Sequence, residues 1–207
     1  SPVAGQSSEK SHFQFALEPE SRLWLEGDST LHTYASTATK MELVSEFIVS
    51  TVSSAQSNVA LMLKDGQLKT LELTIAAKGL KSGKKSLDKN MYESLKADTY
   101  PTIIFRLAQY EIAKSTVDQK SISITAKGQL IVAGKEKEIN LSVEALPTAH
   151  GIQVLGTKEL LMTDFGIKPP TAIFGALKTD NKVVIRFDLL LRKERLTKQN
   201  AENKEVR

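Results

Sequence analysis

Apolar side chains recur at every second position through most of this chain, a rhythm that suits strands and excludes helices over the same segments. In an extended backbone successive side chains point to opposite faces, so strict alternation leaves one face dry and the other wet. Leu71, Leu73 and Ile75 alternate with Thr70, Glu72 and Thr74. Ile122, Ile124, Ala126, Leu130 and Val132 share one face, opposite Ser123, Thr125, Lys127 and Gln129. Ile139, Leu141, Val143 and Ala145 are set against Glu138, Asn140, Ser142 and Glu144, and Val183, Ile185, Phe187, Leu189 and Leu191 against Arg186, Asp188 and Arg192.

Four further runs read as strands: Leu23 to Glu26, about Thr39 to Val52, Thr102 to Ala113 and Ile152 to Met162. Turn signals such as Lys64-Asp65-Gly66 and Thr179-Asp180-Asn181 bound the strand segments. The total is about eight strands. Two segments break the rhythm. Leu87 to Ala97 places Met91 and Leu95 four apart with Asp88 near the start, which predicts one short amphipathic helix. Thr163 to Leu177 contains Lys168-Pro169-Pro170, too constrained for a central strand, and then Thr171 to Leu177, which reads as one helical turn or a lid.

The first twenty residues are small, polar and without a period, so residues 1–21 are expected to be a flexible lead-in. No charged-then-apolar stretch in them reads as a signal peptide. The formal charge of +4 is concentrated at the other end, where the last sixteen residues hold six Lys/Arg and three Glu and the body before them is close to neutral. Residues 192–207 therefore read as a solvated charged tail, and the neutral body argues against nucleic acid as a partner. Between them, residues 22–191 show no repeat or linker and read as one all-β domain. Successive antiparallel strands with few crossovers form a sandwich or close into a barrel, and an eight-stranded barrel can hold one small ligand.

Candidate chemistry is thin. With no cysteine, thiolate catalysis and cysteine-ligated metals are excluded, and three scattered histidines supply no metal-binding spacing, so neither a metal nor a cofactor is expected. The longest strictly apolar run, Val59 to Leu63, is five residues, against about 20 for a membrane-spanning helix. Ser29, His32 and Asp164 can be written as a hydrolytic grouping, but no Gly-x-Ser-x-Gly elbow supports it. Gly79 to Lys85 is a basic turn whose glycine spacing is one residue short of a phosphate loop. Asp164-Phe165-Gly166 lacks the companion motifs of a kinase, and the glycosylation sequon at Asn140 falls in mid-strand.

Four segments, in order and at matching spacing, resemble the YceI-like family. They are Trp24 to His32; Leu87 to Phe105, with its Tyr-Pro and Ile-x-Phe; Gly128 to Ile139; and Met162 to Ile167 with its Asp-Phe-Gly-Ile. The resemblance implies a lipocalin-like antiparallel barrel, usually exported to the bacterial periplasm, whose elongated interior binds a polyisoprenoid or similar amphiphile without catalytic residues. The sequence departs from commoner members at Ser29 to Tyr34 and at Ile167 to Thr171, where a pocket rim is expected.

Alternation and resemblance together predict an eight-stranded barrel around an enclosed apolar cavity that binds, and carries or stores, a polyisoprenoid, isoprenoid quinone or fatty-acid-like lipid. The expected lining is Leu73, Ile75, Met91, Leu95, Phe105, Leu130, Leu141, Val143, Phe165, Phe174, Ile185 and Phe187, with His32, Tyr34 and Asp164 as candidates for a polar head group. A periplasmic or secreted setting is expected, and a homodimer is left open. The alternatives are a filled barrel serving as a protein-interaction module and, behind it, a hydrolase.

Overall fold

The computed structural model of the 207-residue chain describes residues 10–50, 58–113, 121–172 and 175–196. Each predicted alternation becomes a strand with its apolar face inward. The strands join into one twelve-stranded antiparallel arrangement that closes on itself. Three pairs of short strands are collinear, so the barrel has eight staves.

The first stave is β1 (Lys10–Leu17) followed by β2 (Arg22–Ser29), and the second is β3 (Thr33–Ala38) followed by β4 (Met41–Ser50). They pair as one interrupted hairpin, with Phe13 opposite Phe47 and Trp24 opposite Thr37. The third stave joins β5 (Gln67–Ala76) to the two-residue β6 (Leu80–Lys81). Then come β7 (Thr102–Ile112), β8 (Ile122–Val132), β9 (Lys135–Pro147) and β10 (Gly151–Leu161). A two-residue β11 (Thr171–Ala172) leads into β12 (Leu177–Leu196), which pairs with β10 along one side and with β2 and then β1 along the other. Closure leaves no long edge to template aggregation.

Three expectations are corrected here. The strand region begins at Lys10, inside the segment expected to be loose: Phe13 and Phe15 are buried at 5% and 3% exposure. It also runs past Arg192 to Leu196, because β1 supplies a partner for backbone that reads as a tail by charge alone. The Lys193 ammonium sits 5.2 Å from the centre of the Phe13 ring, and Arg192 reaches Glu18 at 2.9 Å and Glu194 at 2.6 Å, so these charges decorate a strand. Finally, a second helix accompanies the predicted one.

The helices cover opposite ends of the barrel. α1 (Val59–Asp65) follows Asn58, whose side-chain oxygen accepts from the Ala60 and Leu61 amides at 2.9 and 3.2 Å and so satisfies donors the first turn leaves free. Its Met62 is fully buried, and the Tyr110 hydroxyl donates to the Leu63 carbonyl at 2.5 Å. α2 (Lys85–Ser94) is tied to the β6 stave: Asp88 accepts from the Ser82 amide at 2.8 Å and hydroxyl at 2.6 Å, and the Tyr92 hydroxyl lies 2.7 Å from the Leu80 carbonyl. Where a helical turn or lid is expected over Thr171 to Leu177, the described residues show β11 at Thr171–Ala172 and the start of β12 at Leu177; a 3-10 turn stands earlier, at Met162–Phe165, followed by Gly166 in the left-handed conformation (φ 67°).

Candidate functional site

The inward faces do not meet in a solid centre. At the α1 end they do: Phe15 and Phe47 pack edge to face with centroids 5.5 Å apart, and Val49, Met62, Ile152 and Leu191 complete a dry plug. Beyond this plug the barrel encloses a cavity of about 520 Å³, within the usual range for small-molecule sites. Its mouth lies at the opposite end, between the β2–β3 loop, the start of β12 and the end of β10, with α2 beside it.

The strand register shows why the cavity exists. Gly27, Gly128 and Gly156 all face inward, and a Cβ on any of them would overlap an aromatic ring from the neighbouring strand: Tyr34, Phe105 and Phe187 respectively. Each ring is accommodated by lying against the wall where a side chain is missing. Much of the remaining lining is aliphatic, with Leu87 and Met91 supplied by one face of α2 and Leu95 by its C-cap.

Of the expected lining residues, Leu73, Ile75, Met91, Leu95, Phe105, Leu130, Leu141, Val143, Phe165, Ile185 and Phe187 all border this cavity, as do His32 and Tyr34. Phe174 lies outside the described residues. Asp164 is a correction: its carboxylate pairs with the Lys137 ammonium instead of facing the lining, because the 3-10 turn carries Phe165 inward and Asp164 toward β9. The turn is held by Asn181, whose amide group bonds the Thr163 backbone at 3.0 Å and hydroxyl at 2.9 Å. Nor do Ser29, His32 and Asp164 assemble into a relay. The Ser29 hydroxyl donates to the His32 backbone carbonyl at 2.9 Å, and His32 is exposed at the mouth.

Sequence reasoning passes over several polar lining residues, Lys158 and Ser36 among them. Lys158 falls in the inward series Ile152, Val154, Gly156, Lys158, Leu160, where alternation alone would have placed it. Ser36 follows Tyr34 by two on β3, a strand of small and polar residues that carries little alternation of its own. Lys158, Ile185, Leu25 and Ser36 form one continuous register row across β10, β12, β2 and β3. Lys158 and Lys178 are the lysines of the lining, and no carboxylate is among the lining residues within the described residues. Leu31 and Leu161, at 67% and 43% exposure, stand at the rim.

Among the described residues no group of three or more His, Asp or Glu side chains gathers as a metal site, and no helix is long and apolar enough to cross a membrane. A chamber of this kind can enclose an aliphatic chain by excluding water, with specificity left to a few polar atoms near the mouth.

A family model for the YceI-like domain matches residues 28–191. No curated protein matches the sequence. Solved structures share the fold at low identity. Burkholderia cenocepacia BcnA is 16% identical with a TM-score of 0.59, the match covering 84% of this chain and 98% of that one. A polyisoprenoid binding domain from Saccharophagus degradans, described as implicated in plant cell wall breakdown, is 13% identical with a TM-score of 0.58, covering 87% and 98%. A Campylobacter jejuni YceI protein is 17% identical with a TM-score of 0.53, covering 77% and 84%.

Proposed function

This chain belongs to the family of YceI-like domains, and from that premise we propose that it binds an apolar-chain amphiphile inside its barrel and carries or stores it. The observation that supports this reading is a cavity of about 520 Å³, apolar along its length and plugged at one end. A polyisoprenoid or isoprenoid quinone suits it better than a compact polar metabolite, which would leave its hydrogen bonds unmet against leucine and phenylalanine. The Saccharophagus degradans domain, a polyisoprenoid binding domain by description, is consistent with that choice.

Magnitudes are sufficient. Burying an alkyl chain contributes about 0.8 kcal/mol per CH₂, so some twenty carbons give roughly 16 kcal/mol before association costs on the order of 4 to 15. Micromolar affinity needs about 8, so favourable cases reach it. No catalytic step enters this reading, and the hydrolase alternative loses its grouping once Ser29 bonds the His32 carbonyl. A filled interaction barrel would have no use for the internal volume. An extracytoplasmic setting, periplasmic or secreted, suits a carrier that moves lipid through water.

Native mass spectrometry of the gently purified protein is the test. A lipid-sized adduct that dissociates on activation, and an isoprenoid in the organic extract, are the expected results. Protein that emerges at its bare mass and takes up no prenyl lipid in reconstitution would overturn the carrier reading.

A further inference from the structure

Two oxygen atoms inside the barrel are buried without a hydrogen-bond partner among the described residues: the Tyr34 and Ser36 hydroxyls. Buried polar side chains are nearly always satisfied, so an unsatisfied pair calls for an explanation. Both residues border the cavity, and at positions i and i+2 of β3 they share its inward face. Ser36 is 1% exposed.

The contrast with Ser45 is instructive. That serine also faces inward and is buried, but its hydroxyl ties β4 to β1, accepting from the Phe15 amide at 2.7 Å and donating to its carbonyl at 3.2 Å. Ser36 has no such structural task. Tyr34 is seated by design of the opposite strand: it pairs with Gly27, and any side chain at 27 would collide with the phenol oxygen. The missing Cβ lets the ring lie across β2 with its hydroxyl held inside the wall.

Burial first, and then the carboxylates of Asp180 and Asp28, keep the Tyr34 phenol protonated above the usual tyrosine range. Of the cavity lysines, Lys158 is three strands from Ser36 along their shared row and Lys178 is at the mouth, its backbone bonded to Thr30; neither is among the charges that act on Tyr34. An anion brought to the Tyr34 hydroxyl would meet two negative neighbours, whereas a neutral oxygen would gain hydrogen bonds without that repulsion.

We propose that Tyr34 and Ser36 form the head-group station of the cavity, holding the neutral oxygen of an isoprenoid alcohol or quinone whose chain fills the apolar chamber. The inference rests on the carrier reading above and adds the chemistry of the ligand's polar end. Tyr34 donates to the ligand oxygen, and Ser36 either donates to it or accepts from a hydroxyl.

Farnesol, farnesyl phosphate and the hydrocarbon farnesene, titrated into delipidated protein, test it. Farnesol should bind about tenfold more tightly than farnesene, as expected for one or two hydrogen bonds in a dry site. Farnesyl phosphate should gain nothing over farnesol. In the double variant Tyr34→Phe, Ser36→Ala, farnesol should fall to the farnesene affinity while farnesene itself is unchanged. The ligand-free variant should melt no lower than the parent, since the oxygens removed have no protein partner. Equal binding of farnesol and farnesene, farnesol preference surviving in the variant, or a preference for the phosphate would overturn the station and leave the carrier reading intact. Failure of all three to bind the parent protein would overturn both.

Discussion

The ring of Phe187 on β12 occupies the space above Gly156, its directly paired residue on β10, so closely that one added methyl group at 156 would overlap it. Tyr34 stands in the same relation to Gly27, and the Phe105 ring lies over Gly128 from a diagonal position, its direct partner being Leu130. A bulky ring on the inner wall of a narrow barrel would ordinarily fill it. Here each ring is taken up by the wall, and the central volume stays open.

Gly156→Ala should therefore act on the cavity as well as on stability. The added Cβ drives Phe187 toward the interior, at a cost of about 1 to 3 kcal/mol for overpacking. Urea denaturation should show that loss, and lipid loading should drop in parallel. Unchanged loading would mean that the ring moves elsewhere.

Phe105→Glu places a carboxylate on the same wall, with no cavity lysine on the strands paired with β7. Desolvating that charge against a hydrocarbon chain is unfavourable by several kcal/mol, so prenyl-lipid affinity should fall by at least about a hundredfold in protein that remains folded by circular dichroism. Retention at the parental level would remove Phe105 from the ligand's path.

The closed end should behave differently from the open one. Met62 on α1 is fully buried in the plug, and Met62→Ala should cost about 2 to 5 kcal/mol. Tyr110→Phe, which loses the bond to the Leu63 carbonyl, should cost only about 0.5 to 1.5 kcal/mol. Thermal or chemical melts measure both. A ranking in which Tyr110→Phe is the more damaging would show that α1 is held by the hydrogen bond and not by packing.

Much of this was legible in the alternation because a barrel with a dry interior imposes it stave by stave. The inward series Leu130 and Val132, or Val183 through Leu191, are read directly from the sequence. β1 is not legible in the sequence, although Phe13, Phe15 and Leu17 alternate, because three apolar positions beside polar neighbours are a weak signal until β12 is present to pair with them. α1 was hidden for another reason: Val59 to Leu63 is apolar all round and under two turns long, so only the capping Asn58 marks it. Asp164 is not placed by the sequence, because a 3-10 turn sends adjacent residues to different sides and nothing in Asp-Phe-Gly says which goes inward.

α2 carries the remaining prediction, since Leu87, Met91 and Leu95 border the cavity and a helix this short holds its place through its anchors. The Asp88 carboxylate accepts two hydrogen bonds from Ser82 on the adjoining stave. Those bonds favour the charged form, and the Ser82 hydroxyl is the leading cause that holds Asp88 below its ordinary value of 3.8. A carboxyl lowered by folding contributes stability that is fully present above that ordinary value and is lost as pH falls through the folded one. Between pH 5 and 7 the anchor should be constant, and below about 3.8 it should weaken, loosening α2 and releasing lipid. Hydrogen exchange of the α2 amides, followed together with ligand release, reads both events. Asp88→Asn should show faster exchange already at neutral pH and lose the part of the acid response that is specific to α2. An α2 acid response identical in the variant and the parent would assign it to other carboxylates.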